Sequence, residues 1–193
     1  MVNSVRFFIV IGVIILSRCA TTTYVRPEEV TEVDYTFSDT DLKLMAEKMA
    51  MSIAELAAIK YKEKPPIIAC LYIENRTSQH IDTDAILDKI MTALLKTGVV
   101  RFVDRKVLKE MAIERALVSL QRIDVEDAVQ LGKLVGADYF LLGNLSSIEK
   151  KKGTTTIAYY KLTLRLVDVN SSEIIWADEK ELKKMSKEGF LDW

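Results

Sequence analysis

The sequence predicts a single α/β (α+β) domain. It expects a mixed sheet ending in a C-terminal three-strand antiparallel meander, with about four helices packed mainly on one face. Two observations predict it. Between residues 38 and 136, apolar side chains keep helical spacing in four segments, with short apolar runs between them. From Ala137 onward the pattern changes to strand-like segments separated by Gly or Asn-Ser turns. The order is α-β-α-β-α-α-β-β-β, all within residues 35–193, with no internal repeat.

Each element has a local cause. Ser38 with Asp41 three residues on is an N-terminal capping pair. Behind it Leu42, Met45, Met49, Ile53 and Leu56 share one helical face, with Lys43, Glu47, Lys48 and Glu55 on the other. Pro65-Pro66 ends this segment and launches a strand over 67–74. Inside that strand Cys70 reads as a small core hydrophobe. The polar loop 75–80 leads to a cap at Asp82 or Thr83. The helix that follows turns Ile86, Leu87, Ile90, Leu94 and Leu95 inward and stops at Gly98. Val99 to Val103 is a short strand. Asp104 caps a third helix carrying Val107, Leu108 and Met111. Asp124 caps a fourth, with Ala128, Leu131, Leu134 and Val135 inward and Gly136 at its end. Strands are expected over 137–149, 154–169 and 173–181, turning at 150–153 and 170–172. On the middle one Tyr160, Leu162, Leu164 and Leu166 face the core, while Tyr159, Lys161, Thr163 and Arg165 face water. The charged segment 183–193 receives no element.

Composition narrows the function. Lysine and arginine number 27 against 28 acids, so no basic excess points to nucleic acid. The single histidine, His80, lies in a turn-forming loop, and the chain has two cysteines. It lacks a G-x-S-x-G elbow, a G-x-G-x-x-G fingerprint and a P-loop. No catalytic residue, metal, small-molecule substrate or diffusible cofactor is expected. Lys150-Lys151-Lys152 reads as a solvated hairpin tip.

The N-terminus points to an envelope. Arg6 precedes an unbroken ten-residue apolar run, Phe7 to Leu16, about half the length a spanning helix needs. Leu16-Ser17-Arg18-Cys19 then resembles a bacterial lipobox, with Arg18 where that motif carries a small residue. On this reading residues 1–18 are a signal peptide and Cys19 carries a covalent lipid such as palmitate. Residues 19–34 are a polar linker, and fully extended it reaches at most ~50 Å.

Several internal stretches resemble the LpoB-type penicillin-binding-protein activator lipoproteins over roughly residues 35–181. They are Asn75-Arg76-Thr77 after the first strand, Ala93-Leu94-Leu95-Lys96-Thr97-Gly98, Val135-Gly136-Ala137-Asp138-Tyr139, and Glu173-Ile174-Ile175-Trp176. The domain is also similar to the N-terminal domain of TolB and to CsgG-type lipoproteins. The LpoB resemblance implies an outer-membrane lipoprotein on the periplasmic face that binds a bifunctional penicillin-binding protein and stimulates peptidoglycan synthesis. Its partner-binding positions would be Asn75, Arg76, Thr77, Glu173 and Trp176. The alternative is a CsgG-like assembly or secretion subunit acting by protein contact. LpoB-type proteins also carry a long Pro-rich segment between lipid and domain; here the linker is short, with Pro27 alone.

Overall fold

The computed structural model describes residues 34–56, 63–114 and 123–187, together with Arg26 and Ile59. Residues 31–193 form one compact unit. The expected signal segment, Cys19 and nearly all of the expected linker lie outside the described residues, as does 188–193. Four helices are described: α1 (Asp39–Ala54), α2 (Thr83–Thr97), α3 (Arg105–Glu114) and α4 (Val125–Leu134). Six strands are described: β1 (Ile67–Ala69), β2 (Ile73–Arg76), β3 (Arg101–Phe102), β4 (Tyr139–Lys152), β5 (Thr155–Asp168) and β6 (Ile174–Lys187). They form one mixed sheet in the order β3-β1-β4-β5-β6, with β2 also on β4. The short strands pair parallel, and β4, β5 and β6 form the antiparallel meander.

The helix ends follow the sequence signals. Ser38 and Asp41 make a reciprocal capping box on α1. Asp82 caps α2 by accepting from the Ala85 N–H at 3.2 Å, and Gly98 ends it in the left-handed conformation. Asp104 accepts from Lys106 N–H at 2.8 Å to start α3, and Asp124 accepts from Asp127 N–H at 2.9 Å to start α4. The register shows why the strand expected over 67–74 is two strands. Ile68 pairs with Tyr139, but Ile73 pairs with Gly143, so Cys70–Tyr72 carry one residue more than β4 does opposite them. This bulge ends β1 and re-aims β2.

The helices divide between the two sheet faces, which differs from the one-sided layer that the meander's alternation predicts. α1 and α2 pack Met45, Met49, Ile53, Ile86, Leu87 and Ile90 onto Leu162, Leu164 and Leu166. α3 and α4 pack Leu108, Ala112, Ala128 and Leu131 onto Phe140, Leu142, Val167 and Val169 on the opposite face. The cause is the parallel half of the sheet. Runs such as Tyr139-Phe140-Leu141-Leu142 are apolar at every position and need cover on both sides. Leu95 of α2 and Leu134 of α4, expected inward, are exposed, as is Val107 of α3.

The meander is longer than its sequence signals. β4 runs through Lys152 to a two-residue turn at Gly153-Thr154, and β6 continues to Lys187. Polar contacts at two places along β6 tie it to the helical layer. Lys184 Nζ donates to the Thr36 carbonyl at 2.6 Å and to Asp41 Oδ2 at 3.0 Å. Asp178 meets Lys48 and Ser52 of α1. Burial alone would raise the Asp178 carboxyl, but hydrogen bonds from Lys48, Ser52 and the Glu179 N–H outweigh it and hold it below its ordinary value. A depressed folded-state pKa stabilises the fold above roughly pH 4, and that contribution is lost as pH falls through it. Thermal melts of Asp178→Asn against wild type should therefore show a flatter decline in Tm below roughly pH 4.

Candidate partner-binding surface

Because α3 and α4 reach only the parallel end of their face, the described residues leave the rest of that face open. On β5 the outward residues Ile157, Tyr159, Lys161, Thr163 and Arg165 are partly exposed, while their neighbours Ala158 to Leu166 on the other face are fully buried. Cross-strand register sets the rows. Arg76, Ser146, Lys161 and Glu181 lie across β2, β4, β5 and β6, and Glu74, Asn144, Thr163 and Glu179 form the next row.

Charge on this surface is mixed and locally paired. Lys161 Nζ lies 3.5 Å from Glu179 Oε2, and Arg76 pairs with Glu74. The Tyr159 hydroxyl is pushed up to about 12, chiefly by its hydrogen bond to the Glu181 carboxylate, so it stays a neutral donor. Where the open face meets the start of α4, Tyr72, Glu74, Arg76, Asp124, Asn144 and Arg165 line a polar recess of about 150 Å³. Gly143 sits at the centre of this sheet because a Cβ there would fall 2.2 Å from the Leu164 side chain on the covered face.

The five positions singled out by resemblance separate in space. Asn75 Oδ1 accepts from the Thr77 N–H at 3.0 Å and hydroxyl at 2.8 Å, and Asn75 Nδ2 donates to the Gln79 carbonyl at 3.0 Å. This fixes a loop that presents Gln79. Gln79 donates to the Tyr160 hydroxyl at 2.6 Å and accepts from the Phe37 N–H at 3.2 Å. Tyr160 in turn donates to the Tyr35 carbonyl at 3.1 Å and meets the Phe37 ring edge-on, with centroids 5.5 Å apart. Asn75 and Thr77 thus clamp the chain where it enters the domain. Arg76 points to the open face. Glu173 is exposed in the turn before β6, and Trp176 packs half-buried against the helix-covered core. The rows holding Arg76 and Trp176 are five β5 residues apart, roughly 17 Å along the strand.

A second cleft of about 500 Å³ lies beyond the end of β1, lined by Leu71, Ile81, Ala112 and Ile113 with His80, Asp82 and Asp84. The Thr83 hydroxyl in its lining donates to the Ile73 carbonyl at 2.7 Å. Cys70 is fully buried, and burial pushes its thiol up to about 12, which keeps it protonated. Among the described residues no group of three His, Cys, Asp or Glu side chains could hold a metal ion.

The sequence pattern alone missed the Gln79–Tyr160–Phe37 cluster, the bulge and the reach of Arg76 across to Lys161. Alternation marked the open residues of β5; the rows they share depend on register, which only pairing reveals.

The family model of the peptidoglycan-synthase activator LpoB matches residues 41–182. Among solved structures, the LpoB C-terminal domain from Salmonella enterica is 19% identical with a TM-score of 0.57, over 74% of this chain and 98% of that one. The LpoB C-terminal domain from Escherichia coli is 17% identical with a TM-score of 0.55, over the same 74% and 98%. Lipoprotein GNA1162 from Neisseria meningitidis is 16% identical with a TM-score of 0.50, over 63% of this chain and 85% of that one. No curated protein matches. At these identities the structural likeness speaks for the fold.

Proposed function

Since this chain belongs to the family of LpoB peptidoglycan-synthase activators, we propose that it is a lipid-anchored periplasmic protein that docks on a bifunctional penicillin-binding protein. Its lipid is carried on Cys19 and holds it to the outer membrane. The domain acts by contact and needs no cofactor of its own. The observation that carries this reading is the sheet face that the described residues leave uncovered, whose rows Arg76–Ser146–Lys161–Glu181 and Glu74–Asn144–Thr163–Glu179 form a polar platform on a rigid support. A contact stimulates a synthase only as far as it binds the active state better than the inactive one. A tenfold activation needs about 1.4 kcal/mol of such preference.

Of the five positions, Arg76 meets the synthase directly, and Asn75 and Thr77 hold the loop that follows it. Glu173 lies in the turn before β6 and Trp176 within the strand; of the two, Glu173 is the one exposed enough to touch a partner. Arg76 is half-exposed and, among the described residues, pairs with Glu74 of its own strand. Its removal therefore changes stability by less than about 1 kcal/mol. Arg76→Ala should melt with the wild type while binding the synthase more weakly in an interferometry assay. Unchanged affinity would remove Arg76 from the surface.

A further inference from the structure

We infer that the far end of the open face is a second membrane contact that takes the headgroups of an anionic phospholipid bilayer. Beyond the Lys161 row, the meander places nine side chains on this face in three rows. They are Ile148, Tyr159 and Lys183; then Lys150, Ile157 and Met185; then Lys152, Thr155 and Lys187. Four are lysines, four are apolar or aromatic, and none is acidic. Ile148 is 58% exposed and Met185 63%. Among the described residues, the ion pairs of the meander use other lysines: Lys161 with Glu179, Lys184 with Asp41. Apolar side chains ringed by lysines suit the boundary between headgroups and acyl chains, where each lysine adds attraction to anionic lipid.

The size of the patch favours lipid over a protein. Strands ~4.8 Å apart and same-face residues ~6.8 Å apart make it roughly 10–15 Å across. A stable protein interface covers about 800 Å² on each partner, several times more. A bilayer sets no such minimum. The inference rests on the proposed Cys19 tether, whose linker keeps the domain within ~50 Å of its own membrane. Tethering raises the local concentration of that surface, so a weak patch suffices. Lipid on Cys19 and lysines at the tip would together give the two signals that stable anchoring takes.

The test is a lysine footprint. The full chain is placed on phosphatidylcholine vesicles with or without phosphatidylglycerol, acetylated briefly, and read by mass spectrometry. Lys150, Lys152, Lys183 and Lys187 should lose reactivity at least ~fivefold with phosphatidylglycerol, while exposed Lys96 and Lys106 stay unchanged. Equal reactivity of the four in both lipids overturns the inference. So does protection that purified synthase supplies on phosphatidylcholine and phosphatidylglycerol does not. Lys150→Glu with Lys183→Glu should abolish the protection of Lys152 and Lys187, and persisting protection also overturns it. Flotation of the same samples reads the tether separately. A chain that floats with neither lipid fails the Cys19 reading, whereas unequal lysine reactivity still upholds the tip.

Discussion

Asp41→Ala should lower the melting temperature by roughly 10 °C, a loss of about 3–5 kcal/mol. Asp41 is 3% exposed and lies between three donors. Its carboxylate accepts from the Ser38 N–H at 2.9 Å, from the Ser38 hydroxyl at 3.0 Å and from Lys184 Nζ at 3.0 Å. The first two close the start of α1, and the third ties α1 to the far half of β6. Removing the acid takes a carboxylate from the Lys184 ammonium, whose side chain is only 13% exposed. Taking the carboxylate from a largely buried ammonium costs more than the pair contributed. The double variant Asp41→Asn, Lys184→Met should therefore recover a large part of the loss. A single variant that melts with the wild type would show that β6 does not depend on this contact.

Lys161→Glu combined with Arg165→Glu should weaken synthase binding at least ~30-fold and abolish stimulation, with little change in melting temperature. Both side chains rise from the middle of β5 on the open face. Lys161 is in a half-exposed pair with Glu179, and Arg165 lines the polar recess beside Arg76. Surface pairs of this kind contribute about 0–1 kcal/mol to folding, so the fold tolerates the reversal. A docking partner does not, because two charges matched to it become two that repel it. Titrating the purified synthase against both proteins and following glycan polymerisation reads binding and stimulation together. Full stimulation by the double variant would move the site off this face.

Much of the fold was legible in the sequence because its signals are local. Ser38, Asp82, Asp104 and Asp124 cap the four helices as their spacing predicts, and Gly98 and Gly136 adopt the left-handed turn that ends two of them. The alternation Tyr160-Leu162-Leu164-Leu166 marked the buried face of β5. What was not legible depends on pairing between distant segments. The bulge at Cys70–Tyr72 follows from a register against β4 that residues 67–76 do not encode alone. β6 runs on past Glu181 because β5 offers backbone partners to Lys187 and because Lys184 finds Asp41, 143 residues away in sequence. The two-sided helix layer was written in the unbroken apolar run at 139–142, but the wet face of β5 argued more loudly for one side. The surface itself was half visible. Tyr159, Lys161 and Arg165 read as available, whereas Arg76 joins them only through the parallel pairing of β2 with β4.

The most direct measurement places a benzophenone photo-crosslinker at Thr163, in the centre of the open face, and at Glu47 and Lys96 on the exposed surfaces of α1 and α2. With purified synthase present, a docking face centred on β5 gives a crosslinked complex from position 163 and none from positions 47 and 96. Crosslinking from the helix positions with none from Thr163 would contradict it.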